Sequence, residues 1–259
     1  MSAPHEITPR QLARLVGTPD APAIVDLRVD EDFDDDPRLV PGSYRHPFTA
    51  LDTLMLDGPV VVLCQKGRKI SQGAAALLRS RGVPAEVLEG GQFAWRDAGL
   101  PMVDGGAASR ASRWVTRQRP KVDRIACPWL IRRFVDPAAT FLFVPPQDVD
   151  LVADKFGAEP FDVEGAALSH RGKSCTFDAM LEHFGLVSEP LKQLATIVRG
   201  ADTGRLDLAP EAAGLLAASL GLSRMHRDDL AQLEAGMALY DALYRWARDA
   251  TGETHEHAS

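Results

Sequence analysis

Cys64 is followed by Gln65-Lys66-Gly67-Arg68-Lys69 and then by the alanine-rich run from Ser71 to Leu78. Four apolar residues, Val60-Val61-Val62-Leu63, precede it. A short continuous apolar run bounded by turn residues is the pattern of a strand buried on both faces, so the thiol falls at a strand's carboxyl end and ahead of a helix. Open α/β sheets place their ligands there. The N–H groups of a tight loop and the positive end of the following helix favour a thiolate and an anion beside it, and Lys66, Arg68 and Lys69 add positive charge. The chemistry on offer is that of a nucleophilic sulfur. The competing reading is an inert core thiol, because a free cysteine is among the most buried residue types. The basic loop favours the reactive reading.

A second group lies further along. Glu164, His170, Cys175, His183 and Asp202 are able to ligate a metal or move protons. Imidazole with carboxylates suits iron, manganese or zinc, and a thiolate shifts the preference toward zinc or copper. Glu164, His170 and Asp202 are the candidate ligands for such a divalent ion. No short spacing of the His-x-x-x-His kind supports the set, and a lone histidine is commonly a satisfied structural group. His255 and His257 read as part of a frayed tail. Between Trp114 and Phe134, Arg117, Arg119, Lys121, Arg124, Arg132 and Arg133 alternate with aromatic residues. A basic aromatic surface binds single-stranded nucleic acid or a smaller anion. The net charge of -7 argues for the smaller partner, or for pairing with acidic residues of the first half.

The elements that position these groups follow from punctuation and periodicity. Thr8-Pro9 is a helix start, and Leu12, Leu15 and Val16 form its apolar stripe up to Gly17. Ala23 to Leu27 reads as a short buried strand, and Val40-Pro41-Gly42-Ser43 as a turn. Asp30 to Asp36 holds six acids in seven residues, the composition of a solvated loop. The helix from Ser71 ends at Gly82, Ala85 to Leu88 is the next strand, and Trp95 belongs to the core. Strands alternating with helices predict a parallel sheet flanked by helices. Arg28 either lies near the thiol loop or pairs with Asp26.

Residues 105–112, small and polar, read as a linker between a domain over 1–104 and one over 113–252, with a tail at 253–259. The second domain is expected to be mainly helical, of α+β class. Pro128 suits a first helical turn, and Phe141 to Val144 a strand. Helices are predicted from Ser174 or Thr176 to Gly185, from the Ser188-Glu189-Pro190 cap to Gly200, and from Pro210 to Gly221. A long last helix is marked by Leu230, Leu233, Met237, Tyr240 and Tyr244.

With 259 residues and 45% apolar content the chain can build real cores, and its acidity gives no reason to expect nucleic acid. No apolar run approaches the roughly 18 residues of a membrane span, and the N-terminus lacks a basic region followed by an apolar stretch. Three widely spaced cysteines are not a disulfide framework. A cytoplasmic protein is the expectation.

The cysteine loop, with Ile24-Val25-Asp26-Leu27-Arg28 before it and Leu88-Glu89-Gly90-Gly91-Gln92-Phe93-Ala94-Trp95 after it, resembles the rhodanese domains over about the first hundred residues. The resemblance implies a rhodanese-like parallel sheet and assigns to Cys64 the persulfide carried during sulfur transfer. Cysteine-based phosphatases place an arginine six positions after the cysteine, and Ile70 stands there. The basic stretch, with Phe161-Asp162-Val163-Glu164-Gly165, Ser169-His170-Arg171-Gly172, Cys175-Thr176-Phe177 and Gly200-Ala201-Asp202, resembles the C-terminal domain of the ChrB chromate-resistance family over roughly residues 113 to 250. That likeness implies a link to chromate or oxidative stress.

The expectation is a rhodanese-type sulfurtransferase. Cys64 is the catalytic residue, Gln65, Lys66, Gly67, Arg68, Lys69 and Arg28 bind the substrate, and no cofactor is required for the transfer. The partners are a small-molecule sulfur donor such as thiosulfate and a thiol or cyanide acceptor. The alternative is a sensor or resistance protein that holds a metal or oxyanion in its C-terminal domain, with the rhodanese half accessory.

Overall fold

The computed structural model describes residues 5–108 and 112–253; His255 and His257 lie outside the described residues, as does most of the expected tail. The chain forms two compact units. One comprises 1–113, 130–140 and 182–186, and the other 114–129, 141–181 and 187–259.

In the first unit the elements run β1 (Glu6–Ile7), α1 (Pro9–Leu15), β2 (Ala23–Asp26), α2 (Asp30–Asp34), β3 (Arg38–Leu39), β4 (Ser43–Arg45), β5 (Val60–Leu63), α3 (Lys69–Ser80), β6 (Ala85–Leu88), α4 (Gly91–Asp97) and β7 (Val103–Asp104). The main sheet has the order β1-β6-β5-β2-β4 and is parallel at every pairing. Val60, Val61, Val62 and Leu63 are all buried in its centre. Alternation along the strand sends Val60 and Val62 to the face covered by Ala74, Ala75 and Leu78 of α3, so Val61 and Leu63 serve the other face. This is the predicted helix-flanked parallel sheet.

Local chemistry fixes the ends of these elements. Thr8 caps α1 in a reciprocal capping box with Gln11, and Gly82 follows α3 in the left-handed conformation at φ +84°. The acidic run is not an extended loop: Asp30–Asp34 is a short helix. Part of its charge is offset locally, with Arg45 bonding Asp30, Arg38 bonding Asp36, and Arg28 and Arg45 lying over the Phe33 ring. Trp95 is core, its indole N–H donating to the Pro101 carbonyl.

The second unit is mainly helical. Its elements are β8 (Arg113–Arg117), α5 (Asp123–Leu130), β9 (Thr140–Val144), α6 (Val149–Phe156), β10 (Glu159–Pro160), α7 (Thr176–His183), α8 (Glu189–Asp202), α9 (Ala212–Met225) and α10 (Asp229–Asp249); the π-helical turn Ile131–Val135 falls in the first unit. A small sheet has the order β10-β8-β9. Trp129 anchors the helical core against Phe177, Tyr240 and Tyr244.

Three helix expectations are corrected. Pro128 sits inside α5 rather than in its first turn, where it cannot donate to the carbonyl four residues back. Helix α8 continues past Gly200 to Asp202, because that glycine admits a close neighbour instead of ending the helix: a Cβ there would lie 2.9 Å from the Ala212 Cβ. Helix α9 likewise passes through Gly221 to Met225. Among the described residues, no helix is long and apolar enough to cross a membrane.

Candidate functional sites

Cys64 follows β5 directly, and the four residues Gln65–Arg68 turn the chain into α3, which begins at Lys69. The first turn of α4 holds this loop in place. The Cys64 carbonyl accepts the Gln92 N–H at 3.0 Å and the Gln65 carbonyl accepts that of Phe93 at 3.1 Å. Two glycines make the approach feasible. Gly67 has φ +63°, and a Cβ on it would lie 2.6 Å from the Leu88 carbonyl oxygen. Gly91 has φ +62°, and a Cβ on it would lie 2.1 Å from the Cys64 carbonyl oxygen and 2.4 Å from the Gly67 nitrogen. Only glycine fits either place.

With its carbonyls engaged on α4, the loop presents amides to the thiol. Cys64 is 6% exposed, with its Sγ 3.2 Å from the Ser71 hydroxyl. Burial pushes the thiol pKa up, but hydrogen bonds from the Ser71 hydroxyl and from the N–H groups of Ser71, Arg68 and Lys66 outweigh it, and the thiol titrates below its ordinary value. Gln65 is half-buried, Gly67 is buried, and Lys66, Arg68 and Lys69 are exposed around the loop.

Arg28 is not available to a substrate. It is buried, and it grips the carboxylate of Asp26 at 2.6 Å while donating to the carbonyls of Asp36 and Arg38. Its guanidinium is occupied in tying β2 to the chain that follows. The pairing alternative is the one realised.

The second unit carries a different assembly. Asp123 opens α5, Asp162 follows β10, His170 lies in the loop before α7, and Asp202 ends α8. His170 Nε2 lies 3.3 Å from Asp123 Oδ2, 3.4 Å from Asp162 Oδ1 and 3.0 Å from Asp202 Oδ2. Val122, a β-branched residue at φ +36°, immediately precedes Asp123, and Asp162 has φ +50°. Asp123 is fully buried, and its Oδ2 also accepts the Thr176 N–H at 2.6 Å. Asp162 Oδ1 accepts the Thr176 hydroxyl, whereas its Oδ2 faces Arg117 and Arg124. A cavity of about 350 Å³, lined in part by Arg117, Arg124, Asp162, Glu164, His170 and Asp202, opens the site to solvent.

The electrostatics follow from crowding three carboxylates. Burial raises the Asp123 pKa. Burial, then the negative charges of Asp123 and Asp162, lift Asp202 to about 7. The hydrogen bond to Asp123 leads in raising His170 to about 9, with the Asp202 and Asp162 charges adding to it. Asp123, Asp162 and His170 form a group that could hold a metal ion, their ligand atoms all within 4.8 Å of one another.

Of the candidate ligands taken from the sequence, His170 and Asp202 come together and Glu164 only lines the cavity. His183 is exposed at the end of α7, its ring against Phe184. Cys175 is buried, and desolvation, reinforced by the Asp123 charge, drives its pKa far up, so it stays a thiol. Asp123 and Asp162 were missed: one sits inside the basic stretch and the other two residues from Glu164, and spacing alone did not separate them from surface charge.

The basic aromatic stretch is not a binding surface of stacked rings. Trp114, Trp129 and Phe134 are buried. Arg117 and Arg124 pair with Asp162. Arg119 ties α9 to α10, bonding the Ser223 and His226 carbonyls as well as Asp229.

The sequence model of the rhodanese-like domain matches residues 8–98, and that of "ChrB, C-terminal domain" matches residues 114–247. Protein ChrB of Cupriavidus metallidurans is 33% identical over 207 residues, which cover 73% of this chain and 62% of that protein. The chain thus spans less than two thirds of this relative. Among solved structures, a rhodanese-related protein from Thermoplasma volcanium is 23% identical, with a TM-score of 0.34 over 39% of this chain and 98% of the other. A thiosulfate sulfurtransferase from Pseudomonas aeruginosa is 27% identical, with a TM-score of 0.33 over 40% of this chain and 22% of the other.

Proposed function

The chain belongs to the family of the ChrB C-terminal domain and carries a rhodanese-like domain ahead of it, and from that premise we propose that it is a sulfurtransferase working through a persulfide on Cys64. The observation that carries this reading is the ring of donors about the Cys64 sulfur, which holds its pKa below the ordinary thiol value despite burial.

The Cys64 thiolate attacks the outer sulfur of thiosulfate or a related sulfane donor. A sulfur–sulfur bond forms to Cys64, the donor's own sulfur–sulfur bond breaks, and sulfite leaves with the electron pair. Cyanide or a thiolate then attacks the terminal persulfide sulfur, and the Cys64 thiolate departs. Negative charge rests on sulfur within the cradle throughout, so the same fixed amides serve both halves of the reaction. Lys66, Arg68 and Lys69 draw the anionic donor to the loop. Neither half needs a cofactor, and the donors that lower the Cys64 pKa favour the thiolate without a dedicated general base.

We place the reaction in a reducing cytoplasm, consistent with three free cysteines. The ChrB relationship points to chromate or oxidative stress as the setting. The decisive measurement is thiosulfate:cyanide sulfur transfer by the full chain and by Cys64→Ala. The variant is expected to lose all turnover, and turnover equal to that of the parent chain overturns the mechanism.

A further inference from the structure

We propose that Asp123, Asp162, His170 and Asp202 form a binding site for one divalent cation of the manganese, iron or zinc kind. This is separate from the sulfur chemistry of Cys64.

The first argument is geometric. Ligands about 2.0–2.2 Å from a common metal ion stand roughly 3.0–3.5 Å from one another along the edges of an octahedron or tetrahedron. The three carboxylate oxygens around His170 Nε2 lie at 3.0, 3.3 and 3.4 Å from it. A ring nitrogen has at most one N–H, and that proton cannot satisfy three acceptors at once. Asp123, Asp162 and His170 have ligand atoms all within 4.8 Å of one another, so one cation can meet these three together, with Asp202 Oδ2 alongside, 3.0 Å from the ring nitrogen.

The second argument is an orphaned atom. Asp123 is fully buried; its Oδ2 faces His170 and the Thr176 N–H, while its Oδ1, on the same carboxylate, has no hydrogen-bond partner among the described residues. Buried carboxylate oxygens are normally satisfied, and a cation held by this carboxylate offsets the charge that the unpartnered oxygen shares. Asp162 shows how cation and arginines coexist: Oδ1 faces His170, while Oδ2 faces Arg117 and Arg124.

The ligand set also selects the ion. Calcium and magnesium prefer sites built from oxygen alone, and copper(I) prefers sulfur. Three carboxylates with one imidazole suit manganese(II), iron(II) or zinc(II). The adjoining cavity leaves a coordination position open to water or a small ligand.

The test is calorimetric titration of chelator-treated full-length chain with Mn²⁺ and, separately, Zn²⁺, with the electron paramagnetic resonance of bound Mn²⁺ as a second readout. One equivalent is expected to bind. His170→Ala and Asp202→Asn should each weaken binding by at least roughly tenfold. The side chains of both residues reach solvent, at 40% and 18% exposure, so the variants should fold, which circular dichroism checks. A His255→Ala, His257→Ala double variant should bind like the parent chain. The proposal is overturned if the folded parent chain shows no saturable binding, leaving an imidazolium–carboxylate cluster alone. It is equally overturned if binding survives both cluster substitutions and disappears with the tail histidines.

Discussion

Cys64 and Cys175 are both secluded thiols, 6% and 0% exposed, yet their surroundings drive them in opposite directions. Desolvation works against ionisation at each. At Cys64 it is outweighed by a hydroxyl and three backbone N–H groups aimed at the sulfur. At Cys175 it is reinforced by the negative charges of Asp123 and Asp178, with the backbone contribution too small to compensate. Cys127 follows Cys175, burial again leading and the Asp123 charge adding to it. Exposure alone does not separate a nucleophile from an inert core residue. The orientation of nearby dipoles does, and a loop whose carbonyls are held elsewhere is one way to produce it.

The sharpest way to break this contrast is alkylation of the native chain near neutral pH, with the modified peptides identified by mass spectrometry. Because the thiolate is the reacting form, Cys64 should be modified faster than Cys127 or Cys175 by more than roughly a hundredfold. The other two should react only after unfolding, and uniform labelling would erase the distinction.

A smaller effect apportions the cradle between its side chain and its backbone. Ser71→Ala removes the hydroxyl and leaves the amides, so the alkylation midpoint should move to higher pH and the rate at neutral pH should fall roughly tenfold, the worth of one hydrogen bond to a charged group. An unmoved midpoint would assign the whole effect to the loop N–H groups.

The smallest effect concerns the support behind the cradle. Asp36 accepts from Gln92 of α4 at 2.9 Å, and its hydrogen bond with Arg38 leads in holding its pKa near 2, below the ordinary 3.8. A carboxyl depressed by folding adds stability that is complete above pH 3.8 and is lost as pH falls toward 2. Arg38 is half exposed, so solvent screening limits the contribution to about 1 kcal/mol or less. Urea melts of Asp36→Asn should fall below those of the parent chain at pH 5 and converge with them near pH 2.

Much of the first unit was legible because its signals are local. A buried strand announces itself as Val60-Val61-Val62-Leu63, a cap as Thr8-Pro9, a helix end as Gly82. The cysteine loop shared this property, since the thiol, its cations and its helix are contiguous. The contribution of α4 was less visible, because the hydrogen bonds from Gln92 and Phe93 cross from one segment to another. The acidic cluster was still harder to see. Asp123, Asp162, His170 and Asp202 come from four separate segments, and Asp123 lies among cations, where its charge reads as surface pairing. Gly200 misled for a related reason: its role is to admit Ala212, a contact that chain order does not disclose.

The interlock of Gly67 and Gly91 limits how this active loop can change. Each occupies the volume a side chain would need on the other segment, and their backbones nearly touch. Reshaping the backbone around the thiol therefore demands matched alterations in two stretches of sequence at once, whereas the outward charges at positions 66, 68 and 69 are free to vary one by one. The charge around the loop can drift by single steps, and its backbone shape cannot.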